Sequence, residues 1–191
     1  MTIINIAFVD TETTGLRAED GHRLVEVAIS CWAYDTVTTL ARRLHPRMYI
    51  QRINPERSID AAAEAVHKIS LADLRGKPKW KEVAPVVSKI LDHIDLFIAH
   101  NVAFDATFLA LELMRVGFKC PDMKTFCTME SGRKATSMGK VPNLGELAYA
   151  TGQEYDADSA HAADYDVKVM EGAYWKGVEM GLYPNPEEIM A

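Results

Sequence analysis

The amino-acid sequence predicts a single α/β domain in which helices flank a mixed central sheet. Two observations support this fold class. Three strand-like segments come first and are followed by alternating strand-like and helix-like segments, the order expected of a mixed sheet. The chain of 191 residues also fits one compact domain, and no linker, repeat or low-complexity block divides residues 1–191.

The early strands are predicted from runs of apolar residues. Residues 3–10 (IINIAFVD) are apolar and β-branched, and they end at the turn-like sequence TETTG. Residues 24–34 (LVEVAISCWAY) alternate well enough for a second strand. Residues 36–44 are expected to return beside it as a hairpin around Asp35.

The rest of the chain alternates between strand and helix patterns. A buried strand is expected at 95–100 and a short strand at 124–128. The polar, basic segment at 131–143 predicts a mobile loop, and a short tail with Pro184 and Pro186 ends the chain. Helices are expected at 59–67, 83–93, 104–114, 144–151 and 162–177.

Composition narrows the class of protein. The net charge of −6 argues against a protein that grips long nucleic acid by charge alone, but it permits an enzyme that holds a few nucleotides at one end. The three cysteines are widely spaced and form no CxxC pair, which indicates reduced thiols in a cytoplasmic protein. The N-terminus lacks the features of a signal peptide, and no apolar run reaches the roughly 18–20 residues of a membrane span.

Acidic side chains lie at the predicted ends of strands and starts of helices. Asp10 and Glu12 are two residues apart, so they leave the same face of a strand. Asp105 lies in the first turn of a helix that follows a buried strand, and His161, Asp164 and Asp166 open the last helix. Taken singly, each group also suits a turn or a helix N-terminus.

Together these groups form a set suited to hydrolysis of a phosphodiester. Open α/β sheets place their ligand crevices at such element ends. Four carboxylates without a cysteine ligand suit hard cations, Mg²⁺ or Mn²⁺, and two such ions can act on the attacking and leaving oxygens. A nearby histidine can accept a proton from water at neutral pH.

Three sequence motifs resemble those of a known enzyme family. DTETTGL, AHNVAFDATFL and HAADYD, within residues 8–16, 98–109 and 161–166, are similar in kind and order to the motifs of the DEDDh (DnaQ-like) 3′→5′ exonucleases. This family includes the epsilon subunit of bacterial DNA polymerase III and exodeoxyribonuclease X. The resemblance runs from residue 4 to about residue 175, and it implies an RNase H-like fold and release of nucleoside 5′-monophosphates from 3′ ends.

The resemblance also implies a role for individual residues. Two divalent cations would be bound by carboxylates, with His161 as the general base. Residues that would bind the terminal nucleotide are expected close by, although Leu16 and Phe104 also suit core packing. The side chain of His100 is expected to have a structural role and to bond local backbone instead. The metal ligands would be Asp10, Glu12, Asp105 and Asp166, and the substrate-binding residues Thr13, Thr14, Leu16, His67, Asn101 and Phe104.

The last motif leaves a choice between two aspartates. Helical spacing from His161 would select Asp164, which lies three residues further along on the same face. The family pattern H-x-A-x-x-D selects Asp166 instead. The two agree if His161 precedes the helix on a flexible loop, and we therefore expect Asp166 to be the ligand.

The expected substrate is a single-stranded or frayed DNA 3′ end, with RNA as the alternative. The stretches KPKW and FCTM favour a DNA enzyme similar to exodeoxyribonuclease X. A polymerase proofreading subunit is a further alternative, but the C-terminal PNPEEIMA offers little apolar surface for docking to a polymerase. A non-catalytic nucleic-acid-binding module is disfavoured, because it would not need the complete set of acids and His161. The sequence does not predict an oligomeric state.

Overall fold

The computed structural model describes residues 2–191 and contains one mixed sheet of six strands. The first two strands form a long antiparallel pair, and the last two lie parallel to the first. The strands are β1 (Ile3–Thr13), β2 (Leu24–Asp35), β3 (Leu40–Arg43), β4 (Tyr49–Arg52), β5 (Leu96–Ala99) and β6 (Lys124–Cys127). The order across the sheet is β3-β2-β1-β5-β6, with β4 also paired to β2.

Strand β1 is longer than its sequence predicts. The sequence TETTG indicates a turn after Asp10, but the strand continues to Thr13 because Thr11 and Glu12 pair with Val27 and Glu26 of β2. Tertiary pairing therefore overrides the local turn propensity. The acidic pair consequently lies within a paired strand and not in a turn.

The edge of the sheet beside β2 is divided between two short strands. β3 pairs with residues 32–35 of β2, and β4 pairs with residues 26–29. The first of these is shorter than the predicted hairpin strand, since residues 36–39 form the turn, with the Asp35 carboxylate accepting from the backbone N–H of Val37. β4 has no counterpart among the predicted strands, because its four residues lack a distinct apolar pattern.

Helices cover both faces of the sheet. On one face, a helix carries Val167, Met170 and Tyr174 against Phe8 of β1, at the spacing of one helical stripe. The other face is covered by two helices that bury residues such as Val83 and Phe108. The helices are α1 (Ala61–His67), α2 (Trp80–Leu91), α3 (Val102–Arg115), α4 (Thr128–Ser131), α5 (Leu144–Thr151), α6 (Ala163–Glu179) and α7 (Pro186–Met190).

Two C-terminal segments differ from their predictions. The predicted loop at 131–143 contains two short 3-10 turns, at Gly132–Ala135 and Ser137–Gly139. The predicted tail forms α7, which begins at Pro186 behind an Asn185 capping box and packs its apolar residues on the core. Its short length explains why periodicity did not reveal it. None of the helices described for residues 2–191 is long and apolar enough to cross a membrane.

Candidate active site

Three of the predicted metal ligands meet at one end of the sheet. Asp10 and Glu12 project from the same face of β1, the face that carries Phe8 and packs against α6. The first turn of α6 brings Asp166 to them. One ligand atom from each of the three lies within 4.8 Å of the others. We call Asp10, Glu12 and Asp166 the carboxylate cluster.

Asp105 approaches from the opposite side of β1. It lies in the first turn of α3, directly after β5, and it is 3% exposed. The hydroxyl of Thr11 donates to its Oδ1 at 2.8 Å, which holds the carboxylate beside β1. Asp105 does not belong to the three-residue cluster, but it is close enough for its charge to raise the pKa of Asp10.

The carboxylates of the cluster and of Asp105 are poorly solvated and repel one another. Burial, followed by repulsion from Asp105 and Glu12, holds the pKa of Asp10 well above its usual range. Burial and repulsion from Asp166 raise the pKa of Glu12 to about 9. Burial also raises the pKa of Asp105 to about 7.

The arrangement fits a divalent cation. Burial raises the pKa of Asp166, and its Oδ1 is a buried atom with no hydrogen-bond partner among residues 2–191. Buried carboxylate oxygens normally have a partner. A cation at the cluster would satisfy this atom and offset the repulsion, and oxygen ligands of this kind suit Mg²⁺ or Mn²⁺.

His161 lies at the rim of the cluster, just before α6. Its backbone N–H donates to Asp166 Oδ2 at 3.2 Å, and its ring Nδ1 is 4.0 Å from the same oxygen. The side chain is 55% exposed, and the backbone has φ = 63°, a left-handed value that is uncommon outside glycine. The histidine is therefore tied by its backbone while its ring faces solvent.

The two aspartates of the last motif point to different partners. Asp166 is 9% exposed and belongs to the carboxylate cluster. Asp164 is not a member of the cluster and pairs with Lys168 one helical turn later, with Asp164 Oδ2 and Lys168 Nζ 3.2 Å apart. His161 precedes the helix, as the family pattern requires, so helical spacing from it does not apply.

The residues expected to bind the terminal nucleotide differ in exposure. Thr13 and Thr14 are buried, and their hydroxyls bond within the chain, Thr13 donating to the Gly15 carbonyl and Thr14 accepting from the Arg23 N–H. Their side chains therefore shape the segment after β1. Leu16 stands 83% exposed at the end of that segment.

The remaining predicted contacts lie at the start of α3 and on α1. Asn101 is exposed, and Phe104 is partly exposed, with its ring centroid 4.7 Å from that of Phe108. His67 is 7% exposed, and both of its ring nitrogens bond to backbone: Nε2 donates to the Thr13 carbonyl at 3.1 Å, and Nδ1 accepts from the Ile69 N–H at 3.0 Å. The ring therefore braces Thr13, and it has no free ring nitrogen to offer a nucleotide.

His100 is held by a neighbouring side chain. Its Nδ1 forms a hydrogen bond of 3.1 Å with the Thr128 hydroxyl, beyond the end of β6. Burial lowers the pKa of His100 to about 4, so the ring is neutral at pH 7. His100 was expected to bond local backbone. Its ring bonds instead to the Thr128 side chain, which links the ends of the parallel strands β5 and β6.

A charged pair that was not predicted from the sequence lies beside the cluster. Glu26 of β2 lies directly opposite Glu12 and is 5% exposed. Arg52 of β4 donates from Nε to Glu26 Oε2 at 2.9 Å. The sequence does contain a sign of this pair. An acid within the apolar run LVEVAIS predicts a buried charge, and a buried charge needs a partner.

A second missed group anchors the segment between β1 and β2. Glu112 of α3 is fully buried and accepts from both Arg23 and Arg115. Arg115 also donates to the carbonyls of His22 and Ala18. The two arginines thereby fix the exposed segment that presents Leu16 relative to α3, which carries Asp105.

The His22 ring supports the same segment from beneath. Its Nδ1 is 3.1 Å from the Thr14 hydroxyl oxygen. It also lies so close to Gly15 that an added Cβ would be 2.2 Å from the ring. Only glycine fits at that position without displacement of the histidine.

Comparison with known proteins shows the family to which the chain is related. The exonuclease family RNase_T matches residues 7–172. The chain is 29% identical over 161 residues to the 3′-5′ exonuclease DinG of Bacillus subtilis, covering 84% of this chain and 16% of that protein. It is 28% identical over 174 residues to the epsilon subunit of DNA polymerase III of Escherichia coli, covering 87% of this chain and 68% of that one.

Solved structures share the fold. Exonuclease X in complex with 5′ overhanging duplex DNA superposes with a TM-score of 0.66 at 19% identity, covering 97% of this chain and 99% of that one. The nuclease domain of 3′hExo, a DEDDh family member bound to rAMP, superposes with a TM-score of 0.68 at 17% identity, covering 93% of each chain. The predicted RNase H-like fold is thus confirmed, and the chain belongs to the RNase_T exonuclease family.

Proposed function

We propose that this chain is a metal-dependent 3′→5′ exonuclease that releases nucleoside 5′-monophosphates from DNA 3′ ends. The observation that carries the proposal is the carboxylate cluster, in which three acids offer ligand atoms within 4.8 Å of one another, with His161 at its rim. The set of acids is that of a hydrolase, and a module that only binds nucleic acid would have no use for their repulsion.

Two divalent cations, Mg²⁺ or Mn²⁺, would be held by the cluster together with Asp105. When bound, they would activate water and stabilise the leaving 3′ oxygen. The chain's own part is to fix the ligands: the pairing of β1 with β2 sets Asp10 and Glu12, the first turn of α6 sets Asp166, and the Thr11 hydroxyl sets Asp105.

His161 is proposed as the general base. Its exposed ring can accept the proton of the attacking water, while its backbone bond to Asp166 keeps it beside the cluster. The water oxygen bonds to the phosphorus of the last phosphodiester, and the bond from that phosphorus to the 3′ oxygen breaks. The products are a nucleoside 5′-monophosphate and a strand shortened by one nucleotide that ends in a 3′ hydroxyl.

The terminal nucleotide is proposed to lie between Leu16 and Phe104. Leu16 is 83% exposed on a segment anchored by buried ion pairs, so its exposure does not reflect a loose loop. An apolar wedge and an aromatic ring suit a terminal base, since stacking is worth roughly 1–3 kcal/mol and depends little on the base. Asn101, His67, Thr13 and Thr14 complete the proposed pocket.

DNA is the proposed substrate, and RNA is the alternative. The likeness to a subunit of a DNA polymerase and the DNA bound to exonuclease X support DNA, whereas the rAMP bound to 3′hExo supports the alternative. A role as a polymerase proofreading subunit is a second candidate, supported by the likeness to epsilon over 87% of this chain.

A digestion assay tests the proposal. Single-stranded DNA and RNA of matched sequence, labelled at the 5′ end, are incubated with Mg²⁺, and a ladder that shortens from the 3′ end of the DNA is expected. A 3′-blocked DNA and the variant Asp10→Asn serve as controls, and both should remain undigested. His161→Ala should lower kcat by about 10²–10⁴-fold and leave Mg²⁺ binding intact. Release of no mononucleotide from either polymer contradicts the enzyme, and a strong preference for RNA contradicts the substrate.

A further inference from the structure

A groove lies on the face of the sheet that is turned away from the carboxylate cluster. It measures about 640 Å³. Its floor is formed by Ile29 and Cys31 of β2 with Tyr49 of β4, and one wall is formed by Val86 and Ile90 of α2. We call it the edge groove. Ile29 pairs with Val9, which points away from the face that carries Asp10, so a molecule in this groove would not contact the cluster.

The second wall exists because the edge strand is interrupted. β4 ends its pairing at Ile29 of β2, and β3 resumes it at Trp32, so two residues of β2 lie between the paired stretches. The Leu44 N–H still donates to the carbonyl of one of them, Cys31, at 2.8 Å. Between β3 and β4, residues 44–48 run alongside these two residues of β2. Five residues are more than this distance needs, so the extra length of chain forms a bulge beside the groove. α2 covers the inner part of the face and leaves this outer part open.

The lining combines an apolar interior with a basic rim. Nine of the lining residues are apolar or aromatic, four are basic (two of them histidines), and none is acidic. The chain as a whole carries a net charge of −6 when its histidines are counted as neutral, and on the same basis the lining carries two positive charges. The four are exposed and form no ion pair within residues 2–191. They are His45, Arg47, Lys89 and His93.

This chemistry selects one kind of occupant. We propose that the edge groove binds an acidic peptide segment of a partner protein, with apolar side chains on the floor and carboxylates at the basic rim. A groove between a helix and an interrupted sheet edge is a setting in which peptide helices and strands dock. Its volume lies in the range of pockets that bind compact ligands, and it suits two or three apolar side chains.

A nucleic-acid strand fits the groove less well. Tyr49 is the only Phe, Tyr or Trp residue in the described lining, so the floor offers one large ring and no series of them on which consecutive bases could stack. The apolar floor also has no positive charge with which to neutralise the phosphates of a strand that lies along it. The charge pattern, with cations confined to the rim, matches carboxylates that flank apolar residues.

Labelled peptides test the proposal directly. The probes are an array of nine-residue peptides in which pairs of leucine or phenylalanine are flanked by glutamates, together with a matched array in which lysines replace the glutamates. Binding is measured by fluorescence polarisation, and the site is located from amide shifts of Val86 and Ile90 in spectra of the ¹⁵N-labelled protein. Acidic peptides are expected to bind at least tenfold more tightly than their lysine matches and to shift those amides.

Variants on one helix separate the groove from general charge effects. Lys89→Glu reverses a rim charge, and Lys81→Glu makes the same change on α2 outside the groove. The first should weaken peptide binding about tenfold and the second less than twofold. Val86→Asp should abolish binding, and because Val86 is 46% exposed the fold should tolerate it, which an unchanged melting curve would verify.

Three results would overturn the proposal. One is an array in which no acidic peptide binds more tightly than its lysine match. Another is equal loss of binding in Lys89→Glu and Lys81→Glu. The third is displacement of the bound peptide by single-stranded DNA, which would assign the groove to nucleic acid. These outcomes are independent of the exonuclease assay, since the groove contains no residue of the proposed active site.

Discussion

Glu12 and Glu26 lie directly opposite each other on β1 and β2, on the side of the sheet that bears the carboxylate cluster. Like charges in this position destabilise an antiparallel pair. Burial and repulsion from Asp166 raise the pKa of Glu12 to about 9, and repulsion from Glu26 adds to this. Arg52 offsets the charge of Glu26, so the edge strand β4 contributes to the electrostatics of the site.

Arg52→Ala is expected to lower the free energy of unfolding of the metal-free protein by about 1–3 kcal/mol, because it leaves the buried Glu26 carboxylate without its partner. The same change should increase the stabilisation produced by Mg²⁺, since the cation then faces one more uncompensated negative charge. Urea unfolding with EDTA and with Mg²⁺ measures both effects. In a Glu26→Gln background the cost of Arg52→Ala should shrink, and equal costs in the two backgrounds would contradict the assignment.

The carboxylate pKa values predict how the stability of the metal-free protein depends on pH. The pKa values of Asp10, Glu12, Asp105 and Asp166 are raised in the folded state, so the folded chain binds more protons than the unfolded chain above about pH 4. Their contribution therefore falls as the pH rises from the ordinary carboxylate range to about 9, the pKa of folded Glu12. Melting temperatures in EDTA from pH 5 to pH 9 should decline in this window.

Mg²⁺ should reverse this decline, because it favours the ionised carboxylates. Glu12→Gln should raise the melting temperature of the metal-free protein at pH 8, flatten its pH dependence and abolish exonuclease activity. The isosteric change Asp164→Asn, outside the cluster, is the control and should alter the profile far less than Glu12→Gln, because the charge of Asp164 is the smallest of the causes that act on the pKa of Asp166. A melting temperature that is constant from pH 5 to pH 9 in EDTA would show that the carboxylates are not held close together.

Much of the fold was predictable because its elements have distinct patterns. The period-two run of β2 and the apolar stripe of α3 are visible in the sequence, and both elements lie within two residues of their predicted bounds. The end of β1 was not predictable, because Thr11–Thr13 have turn-like neighbours and become strand only by pairing with β2. β4 and α7 are short, and pairing or packing with distant residues defines them.

The positions of the acids were easier to predict than their surroundings. Asp10 and Glu12 share a face by strand geometry alone, whereas the placement of Asp166 depended on the family pattern. The bracing contacts were not predicted because the partners are far apart in sequence: Glu112 meets Arg23, and His67 meets Thr13, only after the chain has folded. A single buried histidine or glutamate carries no local pattern that would reveal such a contact.

The choice between Asp164 and Asp166 can be tested by paired variants. Asp166→Asn removes a member of the carboxylate cluster and should lower kcat by at least about 100-fold, since even residues that only support metal ligands are worth 10–100-fold. Asp164→Asn breaks only a half-exposed pair with Lys168 and should change kcat less than threefold. Mg²⁺ titrations followed by melting temperature should show weaker binding for Asp166→Asn alone. The reverse pattern would assign the ligand to Asp164.

The contact between Gly15 and His22 predicts a coupled pair of substitutions. Gly15→Ala places a methyl group 2.2 Å from the His22 ring, so the ring must move, and a loss of about 1–3 kcal/mol in unfolding free energy is expected. His22→Ala removes the obstacle. The double variant should therefore lose less unfolding free energy than the sum of the losses in the two single variants. Because the same segment presents Leu16, Gly15→Ala should raise KM for a DNA 3′ end more than it lowers kcat. Additive losses in urea unfolding would mean that His22 does not support the segment at Gly15.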